Sequence, residues 1–102
     1  MTSLIAERRH ELIDVCRRFH VRRLDVFGSA AGEDFDPRRS DIDFLVDFAD
    51  VPPAERFDTF FGLHSALAEL FQRPIDLVEE GAPRNPYFLR RLNESRALVY
   101  AA

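Results

Sequence analysis

The sequence predicts an α/β (α+β) domain with a mixed β-sheet covered by helices, and three observations lead to that class. Two short apolar runs, one ending in Val26-Phe27 and one holding Phe44-Leu45-Val46, are separated only by a polar loop. A longer apolar pattern of helical period follows, and a third short run, Ile75-Asp76-Leu77-Val78, comes after it. The order α-β-β-α-β-α then sets two neighbouring strands beside one helical crossover. The 102 residues make a single domain with one core, too short for a second.

Residues 3–19 read as a helix. Thr2 or Ser3 caps it, Glu7 complements its amino end, and Leu12, Ile13, Cys16 and Phe19 form a stripe at helical spacing. Arg8, Arg9, Arg17 and Arg18 fall mostly off that stripe and are solvated. His20 closes the segment, and residues 21–27 run as a strand into Gly28-Ser29. Residues 30–40 are small, acidic and proline-containing, which reads as a short helical turn plus loop. Ile42, Phe44, Val46 and Phe48 then alternate with Asp41, Asp43, Leu45 and Asp47, the period of a strand.

Pro52-Pro53 punctuate the chain and start a helix over 54–71, whose broad apolar face holds Phe57, Phe60, Phe61, His64, Leu67, Leu70 and Phe71. His64 on that face reads as a packed neutral histidine rather than a ligand. Pro74 starts a third strand over 75–79, with Asp76 on one face and Ile75 and Leu77 on the other. Residues 81–84 form a loop, Asn85 caps a last helix, and Pro86 begins it, to about Asn93. The apolar residues 97–100 add a short edge strand.

Composition removes several functions. A net charge of −4 gives no bulk attraction for nucleic acid or anionic membrane, so no direct nucleic-acid partner is expected. All fourteen basic residues are Arg, which excludes lysine chemistry. Cys16 is the single cysteine; it allows no intrachain disulfide, suits a reducing compartment and reads as a small buried hydrophobe. No apolar run reaches the length of a membrane span and none reads as a signal peptide, so the protein is expected in the cytoplasm.

The chemistry concentrates in residues 26–48, VFGSAAGEDFDPRRSDIDFLVDF. Along a strand, residues two apart share a face, so Asp41 and Asp43 point together, with Cβ atoms roughly 6–7 Å apart. Two carboxylates so spaced converge on one or two hard cations with oxygen ligands, as Mg²⁺ requires. Gly28 permits a sharp exit from the first strand and close approach of a phosphate to bare backbone, and Ser29 adds a hydroxyl. Each half alone has a plainer reading: Gly-Ser as an ordinary turn, Asp-x-Asp as a solvated face. Asp47 shares the carboxylate face but lies about 13 Å of strand beyond Asp43 and reads as a surface residue.

The stretch resembles the Gly-Ser…Asp-x-Asp signature of the DNA polymerase β nucleotidyltransferase superfamily. It is more similar still to the MNT-type minimal nucleotidyltransferases paired with HEPN-domain proteins in prokaryotic toxin–antitoxin loci. The likeness runs through PIDLVEEGA and NPYFLRRLNESRALVY and so covers nearly the whole chain. It implies the minimal nucleotidyltransferase fold, Gly28 and Ser29 on the nucleotide phosphates, and Asp41, Asp43 and Asp76 as a catalytic and metal-binding triad for two Mg²⁺ ions. Close relatives commonly read Gly-Ser-Ala-Ala-Arg-Gly-Glu where this chain has Gly28-Ser29-Ala30-Ala31-Gly32-Glu33-Asp34. A cation is missing at Gly32 and a carboxylate is added at Glu33; Arg38 or Arg39 of the same loop are the candidates to compensate.

Three functions follow from the resemblance. The first is transfer of AMP from ATP to a tyrosine hydroxyl of a helical HEPN toxin, which makes this chain an antitoxin. The second is an antitoxin with a weakened nucleotide site that neutralises its partner by contact alone. The third, transfer to a small hydroxylated molecule, needs acceptor-holding helices that the chain lacks. Ten phenylalanines exceed what one thin core buries, and Tyr87, Phe88 and Leu89 sit near an exposed helix start. That surface is expected to meet the helical partner, or a second copy of this chain in its absence.

Overall fold

The computed structural model describes residues 1–38 and 40–102. In chain order the elements are α1 (Ser3–Glu7), α2 (Arg9–Arg18), β1 (Val21–Phe27), β2 (Ile42–Phe48), α3 (Arg56–Phe71), β3 (Ile75–Glu79), α4 (Pro86–Ser95) and β4 (Ala97–Ala101). Single 3₁₀ turns, Gly28–Ala30 and Pro53–Glu55, follow β1 and precede α3. The strands form one sheet in the order β3-β2-β1-β4. β1 pairs antiparallel with both β2 and β4, while β2 and β3 run parallel because α3 carries the chain back between them. The mixed sheet is therefore as expected, with residues 97–101 as its edge strand.

Alternation along the strands divides the apolar residues between two faces. Leu24, Val26, Ile42, Phe44, Val46, Ile75 and Val99 point to one face and pack under α1, α2 and α3 in the main core. Phe27 and Leu45 point to the other and meet Leu92 of α4, with Val78 beside them. A charged network holds α4 at that second face. Asp25, fully buried in β1, accepts from Arg23 Nε at 2.9 Å and from Arg96 Nε at 2.5 Å. Arg96, just past the end of α4, also donates to Glu80 at 3.1 Å, just past the end of β3. Asn85 accepts from the backbone of Tyr87 and Phe88 at the other end of α4, as an N-cap should.

Two helices depart from the sequence reading. Residues 3–19 are two helices, because Arg8 leaves the helical region at φ −113° and ψ 19°. Thr2 N–H donates to the Ala30 carbonyl at 2.8 Å, which ties α1 to the turn after β1. The break lets α1 reach that turn and bury Ile5 while α2 lies along the sheet with Leu12, Val15 and Cys16 buried. In α3 the inward stripe is Leu63, Leu67 and Phe71. Phe57 and Phe61 instead lie 71 % and 49 % exposed, with ring centroids 4.5 Å apart. The apolar arc of this helix is simply wider than the surface it covers. His64 is half-buried, its Nε2 2.8 Å from the Ile75 carbonyl, the packed role expected of it. Cys16 is buried too, and desolvation pushes its thiol up to about 12, which leaves it inert. No helix among the described residues is long and apolar enough to cross a membrane.

Candidate active site

The site lies at the end of the sheet where β1 finishes and β2 and β3 begin. Phe27 is paired with Asp43 across the antiparallel ladder, and Asp43 with Asp76 across the parallel one. Phe27, Asp43 and Asp76 thus form a row over three adjacent strands, on the face that α4 partly covers. Gly28 leaves this row with φ +66°, a left-handed conformation that costs any other residue. A Cβ built there would stand 2.6 Å from Asp43 Oδ2, so the turn can pass this close to the carboxylate only as glycine. The 3₁₀ turn over Gly28–Ala30 then directs the chain outward, with the Ala31 and Gly32 N–H groups donating to the Gly28 and Ser29 carbonyls.

Electrostatics mark Asp43 as the centre of the group. Burial, then the charges of Asp76 and Asp41 and a proton shared with Asp76, push its carboxyl up from 3.8 to about 6. Asp43 is half-buried, whereas Asp41 and Asp76 are exposed. Asp41 precedes β2 and is not among the residues that line the cleft, but it is close enough to act on Asp43 through space. Among the described residues no three His, Cys, Asp or Glu side chains stand together as a ready metal-ligand set. The arrangement is a tight pair, Asp43 and Asp76, with Asp41 as a flanking charge. The donors are all hard oxygens, and like charges held in one place are what a hard cation relieves, so the set suits Mg²⁺.

These residues open into a cleft of about 600 Å³ between the sheet end, the Gly28–Ala30 turn and α4. Its floor is apolar, from Phe27, Val78, Phe88 and Leu92, and its charged lining is Asp34, Asp43, Asp76, Glu94 and Arg91. Phe88 stands edge-on to Phe27 with ring centroids 6.1 Å apart. Ser95 links helix to turn: its hydroxyl accepts from Gly28 N–H at 3.0 Å and donates to the Arg91 carbonyl at 3.1 Å.

The loop residues divide. Gly28, Ser29 and Gly32 line the cleft, and Asp34 brings a carboxylate into it. Arg38 is exposed, its backbone in a turn on Asp36, and it is not part of the cleft lining. Arg39 lies outside the described residues. Asp47 stays on the surface, 3.6 Å from Arg22. Arg91 and Ser95 escaped the sequence reading. Their signal is the helical spacing of Phe88, Arg91, Leu92 and Ser95, which puts all four on one face; a helix ending at Asn93 leaves out Ser95, and with it the contact that turns this face to Gly28.

Comparison with known proteins agrees with this geometry. Residues 10–99 match the family described as nucleotidyltransferase domain. A protein of Methanocaldococcus jannaschii named as a protein adenylyltransferase is 34% identical over 93 residues, which cover 91% of this chain and 88% of that one. A structure described as a minimal nucleotidyltransferase superposes with TM-score 0.71 at 26% identity, covering 90% of this chain and 89% of that chain. A chain from a complex of a tri-AMPylated Shewanella oneidensis HEPN toxin with MNT antitoxin has the same fold, at TM-score 0.59 and 19% identity, covering 96% and 73%. With its Gly-Ser turn set against a carboxylate row at the sheet end, the chain belongs to the nucleotidyltransferase domain family and is a nucleotidyltransferase enzyme.

Proposed function

We propose that this enzyme is a Mg²⁺-dependent protein adenylyltransferase, which moves AMP from ATP to a tyrosine hydroxyl of a helical HEPN toxin and thereby acts as its antitoxin. The observation that carries the reading is the pairing of Asp43 with Asp76 directly beside the Gly28-Ser29 turn. The relative named as a protein adenylyltransferase and the AMPylated toxin complex of the same fold support the acceptor class.

In this reading Gly28 and Ser29 receive the nucleotide phosphates, and Asp41, Asp43 and Asp76 would hold the cations. Mg²⁺, when bound, neutralises charge on the phosphates and favours an in-line displacement at the α-phosphorus. Asp76, exposed on the cleft, accepts the proton of the incoming phenol at its carboxylate. The phenol oxygen bonds to the α-phosphorus, the bond from that phosphorus to the bridging oxygen breaks, and pyrophosphate leaves. Tyrosine suits this step because its phenol gives up a proton more readily than an aliphatic hydroxyl. Tyr87, 76 % exposed, and the part-exposed Phe88 beside it give a partner apolar surface to dock on while its side chain enters.

One observation favours a second reading, an antitoxin that acts by contact alone. Among the described residues four carboxylates and one guanidinium line the cleft, and the loop offers no cation at Gly32, which weakens a site for polyphosphate. Intact-mass measurement separates the two. The protein is co-expressed with a candidate HEPN partner, purified, and incubated with ATP and Mg²⁺. One AMP per modified tyrosine with the native chain, and none with Asp76→Asn in an intact complex, supports transfer. No added mass with either chain, while the partner stays inhibited, leaves sequestration.

A further inference from the structure

Among the described residues Arg91 is the single cation lining the cleft, and it is unspent. The ion pairs among the described residues join Arg22 to Asp47, Arg23 and Arg96 to Asp25, and Arg96 to Glu80. Arg91 belongs to none of them, although Asp34, Asp43, Asp76 and Glu94 line the same cleft. Its guanidinium also makes no hydrogen bond among the described residues, so its five N–H donors remain for a ligand.

Donor accounting at the turn shows why a ligand needs them. Gly28 N–H is already given to Ser95, Ala31 N–H to the Gly28 carbonyl and Gly32 N–H to the Ser29 carbonyl. The turn is left with few free backbone donors and the Ser29 hydroxyl, too little for a polyanion. Arg91 stands four residues before Ser95, so it shares the helix face turned to Gly28 and sits about 6 Å back along the axis, one turn away. Phe88, three residues earlier on the same face, lines the cleft beside Phe27.

We infer that Arg91 binds the terminal phosphates of the nucleotide, the part that leaves as pyrophosphate, opposite the carboxylates at Asp43 and Asp76. The inference rests on the nucleotidyltransferase reading of this cleft. It makes α4 half of the phosphate site: Ser95 holds the turn and Arg91 holds the ligand. Arginine suits the task better than lysine because its planar fork meets two phosphate oxygens at once.

The test is a calorimetric titration of ATP, AMP and inorganic tripolyphosphate, each with Mg²⁺, into the native protein, Arg91→Gln, Arg91→Lys and Asp43→Asn. Arg91 is exposed and unpaired, so both of its variants should melt with the native protein. Arg91→Gln should weaken ATP and tripolyphosphate by about ten- to a hundred-fold, and AMP by less than about two-fold. Arg91→Lys should recover part of the loss. Equal affinity of Arg91→Gln and native protein for ATP overturns the inference, as does an equal loss for ATP and AMP. If Asp43→Asn still abolishes metal-dependent ATP binding in that case, the nucleotidyltransferase reading stands without Arg91. A native protein that binds no nucleotide overturns both.

Discussion

Replacing Asp43 by Asn should stabilise the metal-free protein at pH 8 while removing the proposed cation site. The carboxyl rises from 3.8 to about 6 because burial and two neighbouring carboxylates disfavour its ionised form. A raised folded value means that the native state binds the proton more tightly than the unfolded chain. The stability associated with that proton is fully present below pH 3.8, declines as pH rises, and is gone above about 6. Taken at face value the shift corresponds to about 3 kcal/mol at pH 8. Asp43 is only half-buried, so solvent screening reduces this to about 1–2 kcal/mol. Asparagine keeps the shape, carries no charge and can donate to Asp76 as the protonated acid does. The variant should therefore melt roughly 5–10 °C higher than the native protein at pH 8 in EDTA. At pH 4 the two should nearly coincide. Subtracting the two pH profiles removes the contribution of every other carboxylate. Mg²⁺ should raise the melting temperature of the native protein only. A variant less stable than native at pH 8, or equally shifted at pH 4 and pH 8, would refute the electrostatic account of the site.

Three further substitutions probe what surrounds it. Gly28→Ala forces a side chain into a left-handed position and against Asp43, so urea unfolding should show a loss of about 1–2 kcal/mol together with loss of the Mg²⁺ response. Asp25→Ala leaves Arg96 and Arg23 without their buried partner and should cost about 3–5 kcal/mol in the same assay; a loss below about 1 kcal/mol would mean that the network does not anchor α4. Gly32→Arg has open space around the new Cβ and should leave stability within about 0.5 kcal/mol of native while tightening ATP by about 1–3 kcal/mol in calorimetry.

Much of this was legible in the sequence because strands declare themselves locally. Alternation from Ile42 to Phe48 fixes which residues share the face of Asp43, and Asn85-Pro86 marks the start of α4 to the residue. What the sequence hid depends on distant partners. A buried aspartate in β1 is intelligible only once Arg96, 71 residues later, is seen to meet it. Ser95 becomes part of the site through a hydrogen bond to Gly28, 67 residues away. The break at Arg8 answers to the anchoring of Thr2 on Ala30, and the exposure of Phe57 and Phe61 to how far the sheet extends under α3. None of these follows from composition or period.

The register between β2 and β3 has a consequence for how this enzyme can change over generations. Asp43 and Asp76 face each other as ladder partners, so their separation is a strand spacing, about 4.8 Å between neighbouring backbones, and not a loop conformation. Substitutions at loop positions such as Gly32 and Asp34 can alter what the cleft holds without moving the two acids. A slip of β3 by one residue would turn Asp76 toward the main core and Ile75 and Leu77 away from it. Misregistered chains would then expose apolar surface and be cleared, so a folded but miswired copy has little chance to accumulate. Quality control of the fold is at the same time quality control of the catalyst.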